Sequence, residues 1–192
     1  LQGLWALHVT SGLDDTLAEK LLRHPAPFVR SWTVRLLGDR RKVSRRVGQQ
    51  LVRLASSEQH PVVLVQLAAS ARRLPAGESL PVVRTLLERR LQVADPRLPL
   101  MTWWTLEQHA LTATGDVLGL FSKNSTAWQS SIGLACGLHL VRRFAAEGTS
   151  MGYDACATLL AALPGPQRET GHQSLVRGLA ERADGLSGVG HG

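Results

Sequence analysis

The sequence is short of the features that mark most functional classes. It has no apolar run long enough to cross a bilayer, because the longest uncharged stretch near its middle, residues 124–141, carries Asn124, Ser125, Thr126, Gln129 and His139. Its first ten residues have neither a basic segment nor a long apolar one, so no targeting signal is recognisable there. Sustained two-residue alternation is missing, and so are Asn-Gly or Asp-Gly turns between apolar runs, which argues against a sheet-based fold. Gly-x-Gly-x-x-Gly, a Walker loop, His-Glu-x-x-His and Gly-x-Ser-x-Gly are missing as well. No pair of carboxylates is spaced for acid–base work. The chain itself is therefore expected to be non-catalytic, with no catalytic, cofactor-binding or metal-binding residue of its own.

Cysteine is scarce, with two in 192 residues. If a helical hairpin turns near Gly148–Gly152, Cys136 and Cys156 lie about 14 and 6 residues from the turn, an axial offset of roughly 12 Å. A disulfide needs Cα atoms within about 7 Å, so free thiols are expected. Cys136 and His139 share one helix face and make half of a zinc site, but Cys156, His109 and His172 show no pairing that would complete it. A small buried thiol and a core or capped imidazole are expected instead. Gly133 and Gly137, four residues apart, favour close helix packing at that point.

Lysine is scarce too: 19 of the 22 cations are arginine. The net charge of +7 is unevenly spread, with +6 in residues 1–57, +2 in 58–100 and −1 in 101–192. Against these absences stands a globular balance, 44% apolar and 19% charged residues with a mean hydropathy of −0.03. The chain is long enough to bury a sizeable core.

What fills the sequence is a repeat. Three segments start with a polar residue and a proline and continue as an apolar helical pattern: His24-Pro25, His60-Pro61 and Asp95-Pro96, the prolines lying 36 and 35 residues apart. Proline suits a first helical turn, where its missing N–H has no intrahelical partner anyway, and the residue before it sits where an N-cap would. His24 and His60 are thus expected as turn residues. Between these segments run amphipathic helices, one with Val43, Val47, Leu51 and Leu54 on a single face and one with Leu80, Val83, Leu87 and Leu91. Further helices are expected near 115–122, 126–147, 151–163 and 168–184.

A period of about 36 residues built as a helix pair, with His24-Pro25-Ala26-Pro27-Phe28-Val29-Arg30-Ser31-Trp32 opening one helix, resembles a HEAT repeat. The phrases Leu4-Trp5-Ala6-Leu7, residues 29–39 from Val29 to Asp39, residues 66–75 from Gln66 to Pro75, and residues 98–107 from Leu98 to Glu107 are similar to the HEAT segment of large planctomycetal proteins. Those multidomain proteins are described as membrane-bound dehydrogenases with a c-type cytochrome domain. The resemblance implies an all-α fold, an α-solenoid of about five HEAT-type antiparallel helix pairs over residues 1–184, with 185–192 as a glycine-rich tail or linker. It also implies an extracytoplasmic parent whose dehydrogenase-like domain precedes this segment and whose haem c domain follows it. Cys-x-x-Cys-His, the haem-attaching motif, is not in this sequence, so no haem residue is carried over. The start at Leu1 and the glycine-rich end are expected to mark a piece of a longer chain.

Two groups of residues are candidates for interaction. Arg40, Arg41, Lys42, Arg45 and Arg46 form the densest charge cluster, at a helix–helix connection. A solvated loop is its plainest role; an acidic protein partner is a second, and a nucleic-acid-binding or DNA glycosylase-like use of region 40–53 is the alternative. Phosphate tracking would need cations at one face of successive repeats, and the equivalents one repeat on, Gly77, Glu78, Leu80 and Pro81, are not basic. Trp103 and Trp104, with Met101, Leu98, Leu100 and Leu106, make their helix apolar nearly all round. Such a helix is expected buried between neighbours, or else docking an adjacent domain through its tryptophans. The expected partners are flanking domains of the same chain or another protein, and the expected function is that of a scaffold.

Overall fold

The structure, a computed structural model, describes residues 13–90 and 95–188, with side chains described through residue 183. Among the described residues it is all helical, with ten α-helices and no strand. Two compact units divide between Leu106 and Glu107.

Five helices lie wholly in the first unit: α1 (Asp15–Leu22), α2 (Pro27–Asp39), α3 (Arg45–Ser57), α4 (Pro61–Ala71) and α5 (Ala76–Glu88); α6 (Arg97–Ala110) begins there. Their starts follow local chemistry. Asp14 accepts the Leu17 N–H at 2.8 Å and Ser44 accepts the Val47 N–H at 3.2 Å, each supplying an acceptor for a donor that lacks an intrahelical partner. Pro27 and Pro61 occupy first turns. The helices pack in two rows. α1, α3 and α5 touch in succession, α2 touches α4, and α1–α2, α3–α4 and α4–α5 contacts join the rows.

The apolar faces read from periodicity form the core. Val43, Val47 and Leu51 are buried, as are Leu80, Val83 and Leu87, together with Val34 and Leu37 of α2 and Leu64 and Leu67 of α4. Leu54 is half-buried. Leu91 and Leu4–Leu7 lie outside the described residues.

Several details differ from the sequence reading. Helix α2 starts at Pro27 rather than Pro25, with Ala26 at the cap, because the Ala26 N–H donates to His24 Nδ1 at 3.0 Å and closes a turn first. His60 holds the cap position of α4, but its side chain makes no capping bond. Glu58 instead accepts the N–H groups of Gln59 and His60. Asp95 accepts the Arg97 N–H at 3.0 Å.

The second unit is built around α8 (Ser131–Glu147), which packs against α9 (Ser150–Ala162) and most extensively against α10 (Arg168–Gly188); α7 (Thr114–Gly119) contacts α9. The expected 126–147 helix is broken at Ser130 into a 3₁₀ turn, Thr126–Gln129, and α8. Ser130 accepts the Gly133 N–H at 2.9 Å and caps the new start. Close packing does occur at Gly133 and Gly137, but against that turn: a side chain would strike the Ala127 carbonyl at the first and the Trp128 ring at the second. Gly148, at φ 68°, ends α8, and Thr149 caps α9, so the hairpin turns within two residues. Both cysteines are buried free thiols. Helix α10 runs through Gly188, so residues 185–188 continue a helix; residues 189–192 lie outside the described residues.

Candidate interaction surface

The basic connection between α2 and α3 is shaped by the way α2 ends. The Arg40 N–H donates to the Leu37 carbonyl at 3.3 Å and the Arg41 N–H to the Gly38 carbonyl at 3.0 Å. This closure places Arg41 at φ 58°, in the left-handed region that glycine usually occupies. Arg40, Arg41, Lys42, Arg45 and Arg46 are all exposed. They are not equivalent. Arg46 pairs with Glu19 of α1, and Glu19 holds the guanidinium proton more tightly through a hydrogen bond and its charge. Arg40, Arg41, Lys42 and Arg45 form no ion pair among the described residues.

Two grooves flank α3. One, of about 510 Å³, is lined by Arg45, Gly48, Gln49, Val52 and Arg53 of α3 and by Gly77, Glu78 and Pro81 of α5. The other, of about 400 Å³, lies on the α1 side and is lined by Arg23, His24, Pro25, Gln50, Arg53, Leu54 and Ser57, among others. Arg53 lines both. Arg23 is engaged there, donating to Gln50 Oε1 at 3.0 Å.

Arg30, in the first turn of α2, has its side chain largely withdrawn from solvent. It makes a paired bond to Glu58 at 2.7 and 2.8 Å and donates to the carbonyls of His24 and Pro25. Burial pushes the Glu58 carboxyl up, but the Arg30 hydrogen bond and the His60 N–H lead the opposing effects and hold it below its ordinary range.

The tryptophan helix is only partly covered. Leu98, Thr102, Thr105 and Leu106 are buried, whereas Leu100 and Trp104 are 44% and 40% exposed and Met101 and Trp103 are half-buried. The all-round apolar pattern does not produce an all-round buried helix because α6 seats one face, through the Thr105 hydroxyl on the Ala68 carbonyl at 2.8 Å. Arg72 lies 6.0 Å from the exposed Trp104 ring. Arg35 stacks similarly on Trp32 at 5.2 Å.

Cys136 and His139 stand without further ligands gathered around them among the described residues. Burial pushes the Cys136 thiol up to about 12, and among the described residues no three His, Cys, Asp or Glu side chains gather to hold a metal ion. No described helix is long and apolar enough to cross a membrane. Sequence reasoning missed the groove wall formed by Arg53, Gly77 and Pro81. Its one available signal was that Gly77 and Pro81 are small or lack an N–H at a position equivalent to the basic cluster.

Compared with protein-family models, with characterised proteins and with solved structures, the chain matches none.

Proposed function

We propose that the chain is a non-catalytic scaffold, a HEAT-type α-solenoid segment that holds flanking domains or a partner protein at a fixed spacing. The observation that carries this reading is a set of cross-links about one repeat apart. Arg73 pairs with Asp39, Arg89 donates to the Ala55 carbonyl and Thr105 to the Ala68 carbonyl, across 34, 34 and 37 residues. Links of this spacing suit neighbour-to-neighbour stabilisation in a repeat array. The phrases quoted above favour a parent of the extracytoplasmic dehydrogenase and c-type cytochrome kind, in which redox chemistry belongs to other domains and a haem c to a downstream one.

The competing reading is a nucleic-acid-binding module that uses region 40–53. Titration of the chain with duplex DNA across a salt series separates the two, because each phosphate contact steepens the fall of affinity with salt. The scaffold reading expects no tight, salt-steep binding. Tight binding that is lost on Arg40→Gln, Arg41→Gln, Arg45→Gln and Arg46→Gln together overturns it.

A further inference from the structure

The groove between α3 and α5 adds a partner chemistry to the scaffold reading, on which it rests. Its floor is open. At Gly77 nothing lies within 4 Å of where a Cβ would stand, and at Gly48 only the Val43 Cγ2 does, at 3.9 Å. These two glycines are therefore not demanded by packing between helices; with Val52 and Pro81 they leave an apolar, side-chain-sized trough. Arg45 and Arg53 line the same trough, exposed and without an ion pair among the described residues. Eight residues along one helix separate them by a rise of about 12 Å.

An extended peptide advances about 3.3 Å per residue, so carboxylates four residues apart span about the same distance. The one side chain midway between them, at i+2, points the same way and would fall on the apolar floor. A nucleic acid fits less well, because Arg46 is already occupied by Glu19 and an apolar trough gives nothing to a sugar–phosphate backbone. Glu78, on the α5 wall, opposes any anion there, so carboxylates are accommodated only along the α3 wall that carries Arg45 and Arg53. Arg53 also lines the groove on the α1 side, so an acidic chain crossing α3 would keep meeting it.

We propose that the α3–α5 groove binds an extended acidic segment of a partner protein, with two carboxylates four residues apart on Arg45 and Arg53 and the small apolar side chain midway between them on the floor. The neighbouring Arg40, Arg41 and Lys42 attract such a segment without contacting it in the groove, which raises the rate of encounter more than the strength of the complex.

The test is fluorescence anisotropy on the full chain with a fluorescein-labelled peptide containing Glu-Ala-Pro-Val-Glu. A peptide of the same composition with its glutamates adjacent and a labelled 12-base-pair duplex serve as comparisons. The spaced peptide is expected to bind best. Arg53→Glu is expected to weaken it about tenfold. Gly77→Leu fills the floor and is expected to weaken it as well, with the helical circular dichroism retained and the thermal midpoint not lowered. Equal binding of the two peptides, or unchanged affinity in Arg53→Glu, overturns the proposal. Absence of binding by peptide and duplex alike overturns the groove assignment alone and leaves the scaffold reading standing. Tighter binding of the duplex than of the peptide overturns both.

Discussion

Arg30 and Glu58, 28 residues apart in sequence, form a two-pronged ion pair that is nearly closed to solvent, with side-chain exposures of 16% and 4%. The pair ties three segments together. Arg30 also holds the carbonyls of His24 and Pro25, and Glu58 also accepts the N–H groups of Gln59 and His60. Removing only the cation leaves a buried carboxylate without its countercharge, which typically costs several kcal/mol. Arg30→Leu is therefore expected to destabilise the chain by about 3 kcal/mol in urea unfolding. The double variant Arg30→Leu/Glu58→Gln, which removes the orphaned charge but keeps an acceptor for the two N–H groups, is expected to recover part of that loss. A loss under about 1 kcal/mol for Arg30→Leu is incompatible with the pair's burial.

Acid is expected to weaken the fold in two windows. His109 is buried, its Nε2 has no hydrogen-bond partner, and burial holds its proton affinity below the ordinary 6.5. On acidification the unfolded chain takes up that proton first, near pH 6.5, so stability falls from there until the pH passes the folded value. His139 adds to this window, because burial and then Arg142 disfavour its charge. Glu58 opens the second window, below its ordinary 4.5, where the unfolded carboxyl protonates while the folded one stays ionised against Arg30. Thermal midpoints recorded from pH 8 to 3 read both steps. His109→Leu is expected to shallow the upper step and leave the lower one, whereas an unchanged upper slope would remove His109 as its source.

Arg41 holds a left-handed backbone, φ 58°, at the end of α2. A side chain there costs roughly 1 kcal/mol relative to glycine, and its guanidinium makes no ion pair in return. Arg41→Gly is expected to raise stability by about 0.5–1 kcal/mol even though glycine also loosens the unfolded chain. Arg40→Gly, one residue earlier at φ −72°, is expected to do the opposite. Equal responses of the two variants in chemical denaturation would mean that the connection does not close as described.

Helix positions and buried faces were largely legible, because three-to-four-residue spacing of Val47, Leu51, Val83 and Leu87 leaves one apolar stripe and one way to bury it. Cap chemistry was less so. His24 and His60 precede prolines alike, yet the first folds into a turn with Ala26 and has its carbonyl held by Arg30, and the second stands at a helix start with its N–H held by Glu58, two residues whose pairing across 28 positions spacing alone does not reveal. The exposed Leu100 and Trp104 show the same limit, since periodicity tells how apolar α6 is but not how many neighbours it has. For the basic cluster, the sequence displays five cations in a row of seven positions and cannot display that Glu19, from another helix, engages one of them. Grooves are harder still. They depend on where two helices do not touch, and Gly48 and Gly77 reveal that only once their neighbours are placed.

Gly38 shows the opposite use of a missing side chain. A Cβ added there would stand 2.8 Å from the Ser70 Cβ and 3.2 Å from its Cα, so α2 and α4 approach too closely at this point to admit one. Gly38→Ala gains helix propensity of about 1 kcal/mol, but it forces backbone apart, and overpacking of this kind typically costs 1–3 kcal/mol. The net effect is expected to be destabilising. Ser70→Gly alone is also expected to destabilise, because it removes the acceptor of the Gln66 side-chain amide, bonded at 2.8 Å, and weakens the helix. In the double variant Gly38→Ala/Ser70→Gly the closest clashes of the added methyl, with the Ser70 Cβ and Oγ, are gone and only the 3.2 Å approach to the Cα at position 70 remains. The two losses are then expected to fall short of additivity by about 1 kcal/mol, well outside the agreement seen for independent sites. Additive losses in a denaturation cycle would place α2 and α4 farther apart than Gly38 and Ser70 require.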